Sequence, residues 1–535
     1  MGIEVSKIVD VRYAVSRRRL LQAFGASALT ALSIPLLDRP ALAQPVFQQY
    51  PFQLGVAAGD PLPDGFVIWT RLAPDPLAIG HGMPGQAVEV AWEVASDAQF
   101  KTIARKGTAI ARPELGHSVH VEVGGLEPAR PYWYRFQAGA ERSLTGRAKT
   151  MPRVGSPLDR VRFGVAGCQH YEQGLFTAHR KLAGEELDFV FFYGDYIYEG
   201  RGSRVWNGPQ GPVENVRQHA HQEIYSLDDY RRRYAQYKMD ADLQAAHASA
   251  AWFTTWDDHE TDNNWVAGLD QDGTPPAVFA LRRQAAVQAY YENMPLRPSA
   301  FPVGASMQLY RSATYGDLLD LSLLDTRQYR SDQPCGDKWG AVCDTLDRTN
   351  AEMLGARQEA WALARLSGSK ARWKTLAQQV MMMDLDRDPG PDYVVNPDSW
   401  AGYRAPRNRL LAAIDRRQLG NVVVLTGDEH QNYAGEVHLD GRNPGARPIA
   451  TEFVTTSVSS GGDGLEQRAD MAAIQSANAQ LKFNNAQRGY LVCDVTPERW
   501  VSDFKVLDRI TERNGTLRSR IRLAVEAGDP RVVAA

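Results

Sequence analysis

Carboxylate, imidazole and thiol side chains directly follow several apolar, strand-like segments. "LDFVFFY" runs into a glycine and Asp195, and "VRFGVAG" runs into Cys168. "NVVVLT" runs into "GDEH", which holds Asp428 and His430, and "AAWFTTW" runs into "DDHE" at 257–260. Oxygen and nitrogen donors with one thiolate suit a hard trivalent ion such as iron beside a second, divalent ion. These residues predict a metal centre of that composition.

The segment "GDYIY" contains two residues of special interest, Asp195 and Tyr198. The two carboxylate oxygens of Asp195 could bridge two ions, and Tyr198, folded back from the following turn, could offer a phenolate to one of them. Tyr196 is expected to pack. A single aspartate after a strand is more often a helix cap or a turn residue. The recurrence of the pattern argues against that alternative for the set as a whole.

The positioning elements are the strands of an α/β sheet. A fifth strand-like segment, "LDLSLL", runs into Asp325, Thr326 and Arg327. Open α/β sheets bind ligands beyond the carboxyl ends of their strands, so the five groups are expected to converge on one crevice.

The mature chain contains two regions with different secondary-structure patterns. Between 44 and 150, short alternating strands separated by Gly, Pro and Asp, with a Pro128 to Tyr132 corner, predict a small all-β sandwich of the immunoglobulin or fibronectin type. From 156 to 520, apolar strands alternate with helical stretches, such as "YRRRYAQYKMDADLQAAHAS" and "AEMLGARQEAWALARLSGSKARWKTLAQQV", which predicts an α/β catalytic domain. A net charge of -3 over 535 residues shows no global bias towards nucleic acid or anionic membranes, so an anionic substrate must be captured locally.

The amino terminus is typical of an export signal. Arg17, Arg18 and Arg19 precede a modestly apolar segment that ends near "ALAQ". This arrangement predicts a twin-arginine signal peptide over 1–43, cleaved after Ala43. A membrane anchor is the alternative, but the apolar run is short and interrupted by polar residues. We therefore expect contact with the twin-arginine machinery, no stable membrane anchor and a periplasmic or secreted protein.

The remaining cysteines have separate expected roles. Cys335 and Cys343 lie in a short polar loop that an oxidising compartment would close with a disulfide. Cys493, in "GYLVCDV", is expected to be a small buried hydrophobe.

A series of ordered motifs resembles one known family. The motifs are "GVAAGDPLPDGFVIWTRL", "AGCQ", "GDYIYE", "WDDHETDNNW", "LDTRQYR", "TGDEHQNY" and "EFVTTSVSSGG". Together they resemble the PhoD-like alkaline phosphatases, a branch of the metallophosphoesterases related to purple acid phosphatases. The resemblance implies a sandwich-like amino-terminal domain followed by a four-layer α/β phosphoesterase core, and an iron and calcium centre.

The same resemblance implies a ligand set. The expected iron ligands are Cys168, Asp195, Tyr198 and Asp428. The expected calcium or supporting ligands are Asp195 as a bridge, Asp258, Asn264 or Asn263, and His430 or Asn432. Where the wider metallophosphoesterase pattern has nitrogen donors, "DDHE" and "GDEH" substitute carboxylates, which favour calcium over zinc.

The chemistry expected of such a centre is phosphate ester hydrolysis by a metal-activated hydroxide that attacks phosphorus in line. Arg327 is expected to hold a phosphate oxygen, with a structural salt bridge as its alternative. His259, flanked by carboxylates, is expected to protonate the leaving alkoxide or to orient the water.

Three functions are compatible with these features. The favoured one is an exported alkaline phosphatase that hydrolyses phosphate monoesters or diesters to scavenge phosphate. The first alternative is a phospholipase D-like diesterase acting on lipid headgroups. The second is a non-catalytic surface binding protein, which predicts missing ligands. No nucleic-acid-binding domain is expected.

Overall fold

In the described part of the chain, the strands, numbered β1 to β27 in chain order, form two large sheets, a smaller one and two short antiparallel pairs. The computed structural model describes residues 46–208, 211–338, 340–341, 343–441, 443 and 445–535, so the predicted signal segment 1–43 lies outside the described residues. The first sheet contains β1 Val56–Leu62, β2 Gly65–Arg71, β5 Ser118–Val123, β9 Val161–Ala166, β10 Phe189–Phe192, β13 Ala251–Thr254, β24 Gly489–Val495, β25 Arg499–Leu507, β26 Leu517–Glu526 and β27 Asp529–Ala534. Its strand order is β27-β26-β25-β24-β9-β10-β13-β1-β2-β5, and the central strands β9, β10, β13 and β1 are parallel.

The second sheet has eight strands. They are β14 Arg311–Tyr315, β15 Leu319–Leu323, β17 Trp373–Ala377, β19 Val422–Thr426, β20 Asn432–Val437, β21 Ala450–Val454, β22 Gly464–Leu465 and β23 Leu481–Gln487. The order is β14-β15-β17-β19-β21-β20-β23-β22, with β15, β17, β19 and β21 parallel. Each large sheet therefore has a parallel centre whose strands end at one edge, as the sequence predicted.

The smaller sheet belongs to the amino-terminal region. It contains β3 Val88–Ala95, β4 Ile103–Ala111, β6 Pro131–Ala138, β7 Glu141–Arg142 and β8 Gly146–Lys149. Two short antiparallel pairs complete the set: β11 Val205–Gly208 with β12 Gly211–Glu214, and β16 Gly340–Ala341 with β18 Val394–Val395.

Helices cover the outer faces of the two large sheets. They are α1 Thr177–Leu182, α2 Leu227–Lys238, α3 Ala241–Ser249, α4 Pro276–Asn293, α5 Gly355–Gly368, α6 Arg404–Arg416 and α7 Met471–Ala477. Short 3₁₀ turns occur at Ile79–Gly82, Pro113–Leu115, Pro298–Ala300, Pro334–Asp337 and Trp400–Gly402.

Three apolar cores separate the layers. Between the two sheets, Phe163 and Phe189 of the first sheet stack with ring centroids 4.5 Å apart and share a core with Leu321 and Phe453 of the second. One further core joins α1 to α4 to the first sheet, and another joins α5 to α7 to the second. Burial of both sheet faces explains why the strands read as continuous apolar runs. The predicted four-layer α/β core is confirmed.

The amino-terminal region is all-β, as predicted, but it shares a sheet with the core. Strand β1 pairs in parallel with β13, so that β1, β2 and β5 extend the ten-stranded sheet. The five-stranded sheet packs against this extension through an apolar core of its own. Sharing the sheet gives β1 a partner on both sides and removes an exposed edge.

Two helical stretches expected from the sequence are divided in the structure. "YRRRYAQYKMDADLQAAHAS" forms α2 and α3, because the Asp240 side chain accepts hydrogen bonds from the backbone N–H groups of Asp242 and Leu243 and so starts a new helix. In the second stretch, Trp373–Ala377 is strand β17 rather than helix. Pairing on both sides, with β15 and β19, outweighs local helix propensity there. Among the residues described, no helix has the length and apolar character needed to cross a bilayer.

Candidate metal centre

The predicted ligands lie in loops that leave the parallel strands of both large sheets. Cys168 follows β9, Asp195 follows β10, and Asp257 and Asp258 follow β13 in the first sheet, while Asp428 follows β19 in the second. The two sheets face each other, so their strand ends deliver these groups to one place. Four of the five strand-end groups expected from the sequence therefore meet at one place, and Arg327, which follows the fifth strand, pairs with Asp257.

Three overlapping groups of donor atoms form the centre. Within each group the ligand atoms lie within 4.8 Å of one another. The groups are Cys168, Asp195 and His430; Asp195, Asp258 and His259; and Asp257, Asp258 and Asp428. Asp195 and Asp258 each belong to two groups, so a bridging carboxylate is geometrically available between neighbouring ions.

Several of these residues have left-handed backbone conformations. The φ angles are 51° at Cys168, 54° at Asp195, 65° at Asp428, 53° at His430 and 47° at Asn264. This region is costly for residues with a Cβ, and such residues tend to cluster at functional sites. The strained turns direct the side chains of successive strands into the same crevice.

Glycines allow two of these turns to pack. A Cβ at Gly167 or at Gly427 would overlap the ring of Tyr193, which lies between the Gly-Cys and Gly-Asp turns. The Tyr193 hydroxyl donates to the carbonyl of Thr456 at 3.0 Å, which fixes the ring. The glycines that precede Cys168 and Asp428 are therefore required by close packing.

The electrostatics of the centre fit cations. Burial raises the pKa of Asp195 well above its usual value, and the nearby charge of Asp258 raises it further. Burial likewise raises the pKa of Cys168 and of Asp428, and brings the pKa of Asp257 to about 6. Buried acidic groups this close oppose one another's ionisation unless positive charge is present.

Unpaired oxygens provide an independent test. Among the described residues, Asp195 Oδ1, Asp257 Oδ2 and Asp258 Oδ1 are buried without a hydrogen-bond partner. Buried carboxylates are otherwise paired or coordinate metals. Three orphaned oxygens beside a thiol and two imidazoles match the donor set of a multi-metal site.

Tyr198 folds back onto Asp195, as the sequence predicted. Its hydroxyl donates to Asp195 Oδ2 at 2.8 Å and lies 2.6 Å from Ser460 Oγ and 3.2 Å from His430 Nε2. The ring lies between His170 and His259, with centroids 4.3 Å and 4.1 Å away. The phenol oxygen is therefore directed at the group formed by Cys168, Asp195 and His430.

The pKa of His259 is raised by the carboxylates around it. Its Nδ1 lies 2.7 Å from Glu199 Oε2. Burial opposes the charge, but the carboxylates of Glu199 and Asp258 overcome it and raise the pKa of His259 well above its usual value. Its side chain is 19% exposed, so the ring is accessible at the edge of the centre.

Arg327 lies behind the acidic residues. It is fully buried, with Nε paired to Asp257 Oδ1 and a terminal nitrogen 2.8 Å from Asp398 Oδ2. Arg330 contacts the other Asp398 oxygen at 2.6 Å. These contacts favour the salt-bridge alternative, in which Arg327 positions Asp257. Contact of Arg327 with phosphate stays a prediction.

The asparagines proposed as alternatives differ in their surroundings. The backbone N–H of Asn264 donates to Asp258 Oδ2 at 2.8 Å, and its side-chain amide donates to Asp337 at 2.9 Å. The amide of Asn263 donates to Gln271 at 2.6 Å instead. The carbonyl oxygen of the Asn432 side chain accepts from the backbone N–H of Thr456. Of the three, Asn264 is the residue in contact with the acidic centre.

Sequence reasoning missed several supporting residues. Glu260 accepts hydrogen bonds from the backbone N–H groups of Asp195, Tyr196 and Asp257 and so ties two site loops together. Glu199 directly follows Tyr198 in "GDYIYE", and a carboxylate next to an expected ligand is a signal that could have found it. Asp398, in "NPDSW", comes close to the site only in the folded chain, and nothing in its local sequence indicates a role there.

Comparison with known proteins agrees with this architecture. Residues 163–504 match the family described as PhoD-like phosphatase, and residues 39–152 match its amino-terminal domain. The chain belongs to the PhoD-like phosphatase family. The predicted class of enzyme, a hydrolase of phosphate esters, is thereby confirmed.

Two relatives show how close the likeness is. The chain is 46% identical over 510 residues to alkaline phosphatase D of Bacillus subtilis (strain 168), which covers 94% of this chain and 86% of that protein. It also resembles a solved structure titled "Structure of PhoD", with a TM-score of 0.89 and 46% identity over 92% of this chain and 93% of that one. The likeness therefore extends over both the amino-terminal region and the core.

Proposed function

We propose that this protein is an exported alkaline phosphatase that hydrolyses phosphate monoesters or diesters at a centre of ferric iron and calcium. The proposal rests on one observation: the adjacent buried acidic groups lie next to a buried thiol and a phenol. Cys168 and Asp195, with the Tyr198 phenol hydrogen-bonded to Asp195, suit iron, and the all-carboxylate group of Asp257, Asp258 and Asp428 suits calcium. The homologue's name, alkaline phosphatase D, supports the same activity.

Bound cations would neutralise the phosphate charge and lower the pKa of the water that attacks phosphorus. The protein's own residues then have separate tasks. His259, whose pKa is raised by Glu199, is placed at the accessible edge of the centre, where it can donate a proton to the leaving alkoxide. Arg327 and Glu260 hold the acidic loops from behind.

The diesterase acting on lipid headgroups remains the alternative function. Such an enzyme needs an apolar rim for acyl chains near the centre. A cavity of about 360 Å³ adjoins His430, and it contains Leu465 and Trp206, but its other walls include Glu429, Gln431 and Arg468. This mixed lining favours a small polar or ring-sized group over acyl chains.

The activity is tested with the purified mature protein on an aryl phosphate monoester and the matching aryl diester. Metal content is measured first, and turnover is followed before chelation, after chelation and after calcium is added back. We expect iron in the protein, loss of turnover on chelation and recovery with calcium. Full turnover of the chelated, metal-free protein would overturn the metal mechanism, and no turnover of either ester by the iron-loaded protein would overturn the phosphatase proposal.

Export is tested separately, because it rests on the segment 1–43. Conversion of Arg17, Arg18 and Arg19 to Lys should retain the protein in the cytoplasm, and the exported wild type should begin after Ala43. Export of the lysine variant at the wild-type level would contradict the twin-arginine route.

A further inference from the structure

The cavity beside His430 opens next to the metal centre. It has a volume of about 360 Å³, within the range of small-molecule sites, which is about 300 to 1,000 Å³. His430 forms part of its wall, and the same imidazole lies 3.2 Å from the Tyr198 hydroxyl. His430 is therefore shared by the wall of the cavity and the candidate metal centre.

The charged residues that line the cavity are already compensated. Glu429 pairs with Arg387 at 2.7 Å, and Arg468 pairs with Asp470 at 2.8 Å. The guanidinium of Arg488 donates to the backbone carbonyls of His430, Gly461 and Gly462. With its cations committed in this way, the cavity is better suited to a neutral group than to a second phosphate.

Trp206 provides the aromatic surface of the cavity. It lies in β11 of the β11–β12 hairpin, and its six-membered ring is placed over Gly462, where an added Cβ would lie 3.4 Å from the ring. Its indole N–H is buried and has no hydrogen-bond partner within the described part of the chain. An aromatic wall of this kind suits a flat, ring-shaped group.

We propose that this cavity binds the leaving-group half of the substrate, and that it selects phosphate esters of neutral aromatic or heteroaromatic alcohols through Trp206. This inference rests on the proposed phosphatase function and specifies its substrate class. Because the indole offers a face on which a ring can stack, its loss should cost roughly tenfold in selectivity.

The test compares wild type, Trp206→Ala, Trp206→Phe and Val205→Ala, all loaded with metal. Val205 is the matched control because it is the neighbouring residue of β11, is 53% exposed and points to the other face of the strand. For each protein, kcat/KM is measured for 4-nitrophenyl phosphate and for ethyl phosphate. Each variant is compared with wild type on the same substrate, so the different reactivities of the two esters cancel.

We expect the aryl-to-ethyl ratio of kcat/KM to fall about tenfold in Trp206→Ala, to recover largely in Trp206→Phe and to stay at the wild-type value in Val205→Ala. An unchanged ratio in Trp206→Ala, whether both activities fall together or neither falls, would overturn the proposal.

A binding measurement separates this inference from the proposed function. Calorimetry with 4-nitrophenol, the aryl product, at a pH below its own pKa so that it stays neutral, requires no turnover. We expect binding to wild type that weakens about tenfold in Trp206→Ala. If wild type binds 4-nitrophenol through Trp206 but hydrolyses neither ester, the phosphatase function fails and the aromatic site stands. Equal binding by wild type and Trp206→Ala would overturn the aromatic site even in an active enzyme.

Discussion

Cys168 and Cys493 are both buried free thiols, yet their surroundings differ completely. Burial raises the pKa of both, and around Cys168 the carboxylates of Asp195, Asp428 and Asp257 raise it further. Cys493 lies in β24 within the core between the sheets, with Ser502 Oγ 3.8 Å from its sulfur. A thiolate at Cys168 therefore needs a cation beside it, while Cys493 needs none.

If the proposed iron site is correct, replacement of Cys168 by serine should remove the iron. A hydroxyl is a poor substitute for a thiolate ligand, so we expect loss of bound iron and a fall in aryl phosphate hydrolysis of about 100-fold or more, since even supporting residues of metal sites cost 10- to 100-fold. Elemental analysis and kinetics check this. Cys493→Ser is the control and should keep its metal; full iron content in Cys168→Ser would contradict the assigned ligand.

At the scale of elements, the site depends on how the strand-end loops pack on Tyr193. A methyl group at Gly427 would collide with that ring and push Asp428 away from its place. A Cβ at Gly200, in the loop after Tyr198, meets nothing within 4 Å. Comparing alanine substitutions at the two glycines therefore distinguishes an effect of tight packing from a general effect of replacing a glycine.

Gly427→Ala is expected to destabilise the fold and to lower activity together. Overpacking of this kind costs about 1 to 3 kcal/mol, and displacement of Asp428 should weaken calcium binding. Denaturant unfolding and the calcium concentration for half-maximal activity measure the two effects. Gly200→Ala should match wild type in both; normal calcium dependence in Gly427→Ala would show that the loop tolerates the methyl group.

The predicted disulfide is present and braces a loop of the site. Cys335 and Cys343 are bonded, and between them Asp337 accepts a hydrogen bond from the side chain of Asn264 at 2.9 Å. Asn264 in turn contacts Asp258 through its backbone. The crosslink therefore restrains a loop that holds one side of the acidic centre.

Conversion of both cysteines to serine should lower the free energy of unfolding by about 2 to 3 kcal/mol, the value expected for a loop of this length. Looser support of Asn264 should also raise the calcium requirement. Wild type treated with reductant should have the same free energy of unfolding as the double variant. Reductant should not change the free energy of unfolding of the double variant itself. Identical stability of oxidised and reduced wild type would be inconsistent with this role.

At the scale of the whole molecule, burial of neutral histidines makes the fold sensitive to acid. Burial lowers the pKa of His120 and of His179 to about 4, and that of His81 to about 3. His120 Nε2 lies 2.9 Å from the carbonyl oxygens of both Tyr291 and Met294, and this contact joins β5 to the end of α4. Because the unfolded chain binds these protons more readily, stability is lost as the pH falls below about 6.5.

His120→Gln should flatten this pH dependence. With a folded pKa of about 4, His120 contributes a loss of about 2 kcal/mol in the free energy of unfolding between pH 7 and pH 5. Glutamine can still donate to the carbonyls but does not titrate. Urea unfolding at pH 7 and pH 5 measures the difference between variant and wild type; an equal loss of stability in both would refute the assignment to His120.

The sequence by itself determined the family, the alternation of strands and helices, the disulfide and most of the candidate metal ligands. These features can be recognised within one short segment. Examples are a strand that ends in Gly-Asp or Gly-Cys, and two cysteines in one short loop. Cys168, Asp195, Tyr198, Asp258, Asp428 and His430 were named on that basis, and the structure brings all six to one centre.

Only the tertiary structure decided the features that depend on distant partners. The local sequence of β17 predicts a helix, because it does not reveal the pairing of this strand with β15 and β19. The sequence of β1 likewise predicts part of a separate sandwich, because it does not reveal the parallel pairing with β13. The ion pair between Arg327 and Asp398 joins residues 71 positions apart, so no spacing rule could reveal it. The local sequence identifies which side chains can take part in the site, but the packing of the two sheets determines which residues they contact.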